Sequence, residues 1–471
     1  MEDQKSQELG LNQTPINDVF KISQLPPNFR YGQKTQYAIF EKELEILPTT
    51  GNGTYLQSMD LKYTLSAPSH RMSFLYGPGS YLSFLLTVTG AAGALDATTS
   101  CLFSEIRTTG ATTLEYFSEQ NVLMNILMDQ CSPEARGTYY SFFGNRSHFG
   151  ELAVVAAQTY SLPAATIREG YLFAIAEARR LLCLLPSGIW GCWQKNLLPL
   201  SEIPSGLQIN LRTETNARAF VGAAGTIMNL TDNRLRMSII ELNDFLSSSV
   251  RKIYDNLYIV PFETYFSYQS SIAVGQTSGV LNIPVNYKYV KAIIVCFRAQ
   301  VLDVEGQRSL SSRAKANLGE YSFVVNGQML PASPVYIDAD GELTNLGVLN
   351  AGNADARGFM QVQKIWNNIP AFNSTCSYGL NEFSSRCLLI NGGTADANVS
   401  GKGAFFMGLN LESLTSEGNL FRTTTQASGG IVQFKYRFNV AVPALGALNV
   451  SAFLWVEGDL VIENGVANVD L

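Results

Sequence analysis

Histidine is almost missing from this chain: His70 and His148 are the two in 471 residues. Neither has Cys, Asp or Glu at metal-ligand spacing, so zinc sites and histidine relays have little to build on, and both read as surface-loop residues. Charge is scarce too. Asp, Glu, Lys and Arg make up 15% of the sequence, against roughly a quarter in ordinary globular proteins. The balance is acidic, with a formal net charge of −6, and no Lys/Arg stripe is present to displace counterions from a nucleic acid. The densest basic stretch, Arg308 with Arg313 and Lys315, reads as a solvated loop. Cysteine pairing is missing as well: Cys101, Cys131, Cys183, Cys192, Cys296, Cys376 and Cys387 are odd in number and contain no CxxC. Cys296 lies inside the apolar run Ile294 to Phe297. Buried free thiols in a reducing compartment are expected rather than a disulfide framework.

Catalytic motifs are absent in the same way. There is no G-x-S-x-G turn to carry a hydrolase nucleophile. Gly401, Lys402 and Gly403 lack the earlier glycine and the following Ser/Thr of a phosphate loop. Asp338, Asp340 and Glu342 surround Gly341, but a calcium loop aligned on that glycine would put Tyr336 and Gly347 where acids are needed. Trp190, Trp193 and Trp455 could form a sugar or base platform; packing in a core or interface is the stronger reading of strand aromatics. The longest apolar stretch, Tyr81 to Leu95, is broken by glycines and too short to span a bilayer. The first residues are polar with no apolar leader region, so no signal peptide is expected, and N-x-S/T triplets such as Asn52, Asn145 and Asn373 are not expected to carry glycans. No catalytic, cofactor-binding or metal-binding residue is assigned, and no enzyme activity is expected.

What is present is a two-residue period. Val432, Phe434, Tyr436, Phe438, Val440 and Val442 alternate with polar neighbours, as do Leu207, Ile209 and Leu211 and, earlier, Leu61, Tyr63 and Leu65; each pattern predicts a strand with one buried face. Further strands are expected at Tyr81–Thr89, Cys101–Arg107, Leu235–Ile240, Tyr258–Ile272, Tyr289–Val301 and Tyr321–Val325, the last turning at Asn326-Gly327. The end of the chain predicts paired strands, Ala447–Val456 and Leu460–Ile462, with a turn at Asn464-Gly465. Residues 169–185 stay ambiguous between helix and strand.

Three helices interrupt the strands. Val122, Leu123, Ile126 and Leu127 share a helical face between Ser118 and Cys131, with Ser118 and Asn121 as candidate caps. Phe359, Val362, Ile365 and Trp366 do so over 357–368. Near the middle, Asn243 or Asp244 caps a helix whose Leu246, Val250 and Ile253 recur at i, i+4 and i+7. A chain of this length suits two all-β domains: a flexible arm over 1–27, a first domain over 28–242, a connecting helix over 243–257 and a second domain over 258–471. Many strands and few helices suit Greek-key sandwiches, of which the jelly roll is the eight-stranded form.

Three segments resemble a known family. The first is Ser100 to Ile106 (SCLFSEI), followed by Leu114, Glu115 and the helix to Met128. The second is Leu185 to Trp190 (LPSGIW), then Leu197 to Leu200 (LLPL) and Gly206-Leu207. The third is Tyr321 to Gly327 (YSFVVNG) with Leu330, Pro331 and Pro334. In this order they resemble the double jelly-roll major capsid proteins of tailless icosahedral double-stranded DNA viruses, above all those of polinton-like viruses, virophages and adintovirus-type elements. Residues 132–165 have no counterpart in the family pattern, and the loops are shorter than in relatives with tall towers.

The resemblance implies two tandem eight-stranded jelly-roll barrels and a chain that assembles with itself. Three copies would form a pseudo-hexagonal trimeric capsomer in the virion shell, synthesised in the host cytoplasm, with penton and minor capsid proteins as partners and no sequence-specific contact to nucleic acid. Two rivals are a tandem β-sandwich that binds glycans or a receptor, and a β-sandwich glycoside hydrolase with a carboxylate pair. The absence of a leader and of an aromatic cluster on a polar loop disfavours the first; the second keeps only carboxylates to work with.

Overall fold

The computed structural model describes residues 39–129, 172–254, 257–300 and 447–471 almost throughout. It also describes the strands at 153–155 and 159–161, the segments 313–325, 327–337, 353–365, 405–411 and 430–438, and single residues including 303, 310 and 383. The expected arm 1–27, His70, His148, Arg308, the 338–342 acidic cluster, Gly401 to Gly403, Trp366, Val440, Val442, three of the cysteines (Cys131, Cys376, Cys387) and the three Asn triplets lie outside the described residues.

Sixteen strands carry the architecture. In the first half they are β1 (Ile39–Ile46), β2 (Asp60–Leu65), β3 (Ser73–Gly90), β4 (Phe103–Thr109), β5 (Thr113–Ser118), β6 (Ala178–Cys183), β7 (Leu207–Thr213) and β8 (Thr226–Leu242). In the second they are β9 (Leu257–Ile272), β10 (Ser278–Val285), β11 (Tyr289–Ala299), β12 (Leu318–Val325), β13 (Gln328–Tyr336), β14 (Met407–Asn410), β15 (Gly430–Phe438) and β16 (Leu448–Glu463). The first half forms sheets β1-β8-β3-β6 and β2-β7-β4-β5; the second forms β9-β16-β11-β14 and β10-β15-β12-β13. Counted within its own half, each set has the same order, 1-8-3-6 facing 2-7-4-5. This is the jelly roll, built twice. In both copies a helix follows the fifth strand: α1 (Gln120–Asp129) in the first and, after a longer connection, α3 (Asn353–Ile365) in the second.

The sandwich follows from the alternation. β7 buries Leu207, Ile209 and Leu211 while Gln208 and Arg212 face outward, and β2 does the same with Leu61, Tyr63 and Leu65. The second barrel is filled by rings: Phe297, Tyr321, Phe323, Phe434, Tyr436 and Phe438 are all buried, and neighbouring centroids lie 5.1–6.3 Å apart, mostly in tilted or edge-on pairs with Phe434 and Tyr436 stacked, geometries that aromatic quadrupoles favour. Cys101, Cys183 and Cys296 are buried free thiols. Burial pushes Cys183 up to about 12 and Cys296 up to about 11. Because the thiolate is the reactive form, labelling of these thiols at pH 8 is expected to run roughly a hundredfold slower in the native protein than after unfolding. Equal rates in the two states, followed with a chromogenic disulfide reagent, would contradict their burial.

Several expectations need correction. The two terminal strands at 447–456 and 460–462 are one unbroken strand, β16, and Gly458 continues its ladder opposite Phe262. The true hairpin partner is β17 (Val466–Asp470), reached through Asn464 and Gly465 at φ 51° and 82°, the left-handed pair that a two-residue turn needs. Arg313 and Lys315 are 0% and 2% exposed rather than solvated. Ala314 between them bridges to Phe297 in the barrel wall, which carries the segment inward, and the Arg313 guanidinium lies 5.7 Å from the Phe406 ring centre. Residues 169–185 include the strands Leu172–Phe173 and β6. The expected central helix is α2 (Asp244–Tyr254), with Asn243 Oδ1 accepting the Leu246 N–H at 2.9 Å. Its apolar stripe is narrower than the spacing suggests: Leu246 and Val250 are buried but Ile253 is 60% exposed. In that last turn Arg251 pairs with Glu202 and Tyr254 stacks on Tyr258, taking the inward positions.

Candidate functional site

The most built surface among the described residues is the seam between the two barrels. It runs from β5, on the edge of the first barrel, to β9, on the edge of the second. No ladder joins them. Ser118 on β5 and Ser267 on β9 share a hydroxyl–hydroxyl hydrogen bond of 2.7 Å. Phe117 stacks on Trp193 at 6.2 Å, Trp193 packs on Tyr265 at 4.9 Å, and Tyr265 stacks on Trp455 at 5.7 Å. The rings make a continuous line from one barrel to the other, capped by Lys291, whose ammonium sits 4.8 Å above the Trp455 ring. Trp190, next to this line, is fully buried and donates its indole N–H to Thr108 at 2.7 Å. Trp190 therefore fills the core and Trp193 and Trp455 the seam, as packing rather than as an open platform.

Three carboxylates pin the seam. Glu263 on β9 accepts from Lys195 of the first barrel at 2.5 Å, from Lys291 at 2.8 Å and from the Trp455 indole at 3.1 Å. Burial alone would raise its pKa, but the two lysines outweigh that and hold it below the usual carboxylate range. Glu119 stands at φ 51° between β5 and α1. It accepts from Arg298 of the second barrel at 2.7 Å, from Arg218 of the first at 3.3 Å, and from the Ser451 hydroxyl. Glu214 and Asp303 close the cluster around the two arginines. Burial again pushes the Glu119 carboxyl upward, and Arg298 and Arg218 bring it down below its ordinary value. The sequence placed Ser118 and Asn121 as caps of α1; instead Ser118 is spent on the seam, and Asn121 Nδ2 also reaches Glu214 at 2.8 Å.

Glu115 is different, since its partners are neutral. It accepts from Thr264 of the second barrel at 2.6 Å, from the Gly188 N–H at 3.2 Å and from the Ser187 hydroxyl. Burial raises its pKa and these donors only partly offset the rise. A carboxyl that binds its proton more tightly when folded loses native stability as pH climbs from the unfolded value, about 4.3, through the folded one. The stability of the protein relative to its Glu115→Gln variant is therefore expected to fall as pH rises above that value. Denaturant midpoints of the two proteins across pH 4–8 check this, and a gap that stays constant would contradict it.

Gly188 shows how close the halves come. A Cβ built there would lie 1.7 Å from the Glu263 carbonyl oxygen. Sequence reading missed Glu115, Glu119, Glu263 and Arg298 as members of one site. Their one visible signal was charge inside strand-like apolar runs, as at Leu114-Glu115-Tyr116-Phe117.

Other surfaces are less built. An open recess of about 440 Å³ lies on the face of β2-β7-β4-β5, walled by Asp60, Glu105, Arg107, Thr113, Tyr116, Asn210 and Arg212. It holds no His, Cys or Ser, and Arg107 and Tyr116 are bonded to Thr113 and Glu105 within it. Among the described residues no cluster of His, Cys, Asp and Glu is placed to hold a metal ion. Among them, too, no helix is long and apolar enough to cross a membrane.

The fold has counterparts among solved structures. One is VP54 of PBCV-1, fitted into a cryo-EM reconstruction of the virophage Sputnik: 10% identity and a TM-score of 0.55 over 93% of this chain and 98% of that one. A quasi-atomic model of the PBCV-1 virus capsid gives 10% and 0.53 with the same coverage. The cryo-EM structure of the Sputnik virophage gives 11% and 0.57 over 98% of this chain and 93% of that one. The likeness spans both barrels and establishes the double jelly-roll fold. No protein-family model matches the sequence, and no curated protein matches it.

Proposed function

We propose that this double jelly-roll chain is a major capsid protein, a structural and non-enzymatic subunit of the icosahedral shell of a double-stranded DNA virus. The observation that carries the reading is the duplication itself: the same eight-strand order twice in one chain, matched in fold by the PBCV-1 and Sputnik structures over 93–98% of the chain. Three such chains supply six equivalent barrels, the number a pseudo-hexagonal tile requires. In this reading residues 28–242 and 258–471 are the two barrels, 243–257 joins them, and 1–27 is an arm that ties capsomers together or faces the interior. Neighbouring capsomers are the chief partners, and penton and minor capsid proteins complete the shell. The protein is made in the host cytoplasm and resides in the virion. The acidic balance of the chain, −6, fits a wall that does not coat the genome.

The mass of the purified chain by light scattering tests this. A single species at three times 51.6 kDa is the expected result. A monodisperse monomer that does not assemble would overturn the capsomer and bring glycan binding forward.

A further inference from the structure

The two sheets of the first barrel treat the charges on their outer faces differently. On β1-β8-β3-β6 the charges pair with one another: Arg234 with Asp232 and Glu45, Arg236 with Glu43 and Glu45, and Arg180 with Asp232. On β2-β7-β4-β5 charges of both signs stand in register and do not pair. Arg212 on β7 lies directly opposite Asp60 on β2 and Glu105 on β4, positions at which opposite charges on neighbouring strands ordinarily meet. Neither carboxylate forms an ion pair with any cation among the described residues.

These side chains diverge and wall the open recess of about 440 Å³, within the roughly 300–1,000 Å³ of small-molecule sites. Its polar groups are lightly used. Arg107 donates to Thr113 at 3.0 Å, and Glu105 accepts the Tyr116 hydroxyl at 3.4 Å. The Arg212 guanidinium and the Asp60 carboxylate have no hydrogen-bond partner among the described residues. Asn210, opposite Arg107 in the ladder, has an Oδ1 that is also unpartnered. Tyr116, 41% exposed, is the aromatic ring of the wall.

This set of groups selects a ligand by charge. Two carboxylates and two guanidinium groups line the recess and leave it without net charge. An anion would meet Asp60 and Glu105 on either side of Arg212, and a cation would meet the arginines. A neutral ligand that donates and accepts in equal measure meets neither obstacle. Sugar hydroxyls do both: a vicinal pair donates to a carboxylate and accepts from the fork of a guanidinium. The C–H face of a pyranose packs on an exposed aromatic ring.

We propose that this recess is a carbohydrate site for a neutral mono- or disaccharide. Asp60 and Glu105 accept from its hydroxyls, Arg107 and Arg212 donate to them, Asn210 does either, and Tyr116 is the stacking surface. The site lies within one chain and needs no second copy. It adds a ligand to the shell role and leaves that role unchanged.

Saturation-transfer NMR on the full chain tests it, with the methyl glycosides of glucose, galactose, mannose and N-acetylglucosamine, lactose and cellobiose as probes. At least one of these sugars is expected to show transfer and to bind with a millimolar Kd. Arg212→Ala and Asp60→Asn are each expected to weaken that sugar by about tenfold or more, with an unchanged circular dichroism spectrum. Arg234→Ala, on the opposite sheet, is expected to leave its affinity at the wild-type value. No transfer to any probe would overturn the site, and so would transfer that survives both recess variants. Binding of sialyllactose or of diglycine in place of the neutral sugars would overturn the ligand class. The scattering mass of the same sample reports on the capsomer separately, so a trimer that binds no sugar overturns this site alone.

Discussion

Glu119→Gln is expected to cost about 3 kcal/mol of stability at pH 7, because it removes the nearest anion from the buried Arg298 and leaves Asp303, at 3.6 Å, as its counter-charge. Arg298 is 2% exposed and Glu119 is 9% exposed, so water replaces little of what is lost. The effect is also directional in pH. The arginines hold the Glu119 pKa below its ordinary value, so its contribution is complete above the unfolded pKa, about 4.3, and is lost as pH falls through the folded one. Wild type and variant should therefore converge in acid. The cluster spans the seam, with Glu119, Glu214 and Arg218 from the first barrel and Arg298, Asp303 and Ser451 from the second. Calorimetry should accordingly show one transition in the wild type splitting toward two in the variant. The double variant Glu119→Leu with Arg298→Met should lose less than the sum of its single variants. Additive losses, or a loss below 1 kcal/mol, would mean that the cluster does not couple the barrels.

Gly188→Ala should be nearly as damaging, although it adds one methyl group. The new carbon would fall 1.7 Å from the Glu263 carbonyl oxygen and 2.8 Å from its carbon. The obstacle is backbone, which cannot rotate away as a flexible side chain would. The two barrels must separate locally, pulling Thr264 from Glu115 and loosening the ring line at Trp193 and Tyr265. A loss of roughly 3 kcal/mol or more is expected, seen as a melting temperature lower by about 5 °C or more. A variant that melts within 1 °C of the wild type would show that the halves do not rest on this contact. Glu115→Gln and Gly188→Ala together separate two levels, proton binding in the seam and contact between barrels.

Much of the fold was legible in local pattern. The alternation at Leu207 to Leu211 and at Val432 to Phe438 placed strands and their buried faces, and Asn243 marked the start of α2. Strand order was not legible, since the pairs that set it are distant: Ile39 lies opposite Leu242 and Leu257 opposite Glu463. The break expected between Val456 and Leu460 does not occur, because an antiparallel ladder carries Gly458 through opposite Phe262 on a long partner strand. Arg313 and Lys315 misled because a run of cations signals solvent, whereas a single bridge from Ala314 to Phe297 draws the segment into the wall. The seam was half legible. Packing was the favoured reading of Trp193 and Trp455, but their meeting across Tyr265 depends on two edges brought together by the whole fold. Glu115 and Glu119 lie four residues apart on the chain and serve one junction, one with neutral donors and one with arginines. Nothing local to either distinguishes them.

The most direct test of the account is an averaged electron-microscope image of the purified chain viewed down its symmetry axis. Two barrels of identical strand order per chain, in the capsomer proposed above, predict a closed particle with six lobes of nearly equal size and three-fold symmetry. Isolated two-lobed particles, or rings whose lobes are not six, would contradict it.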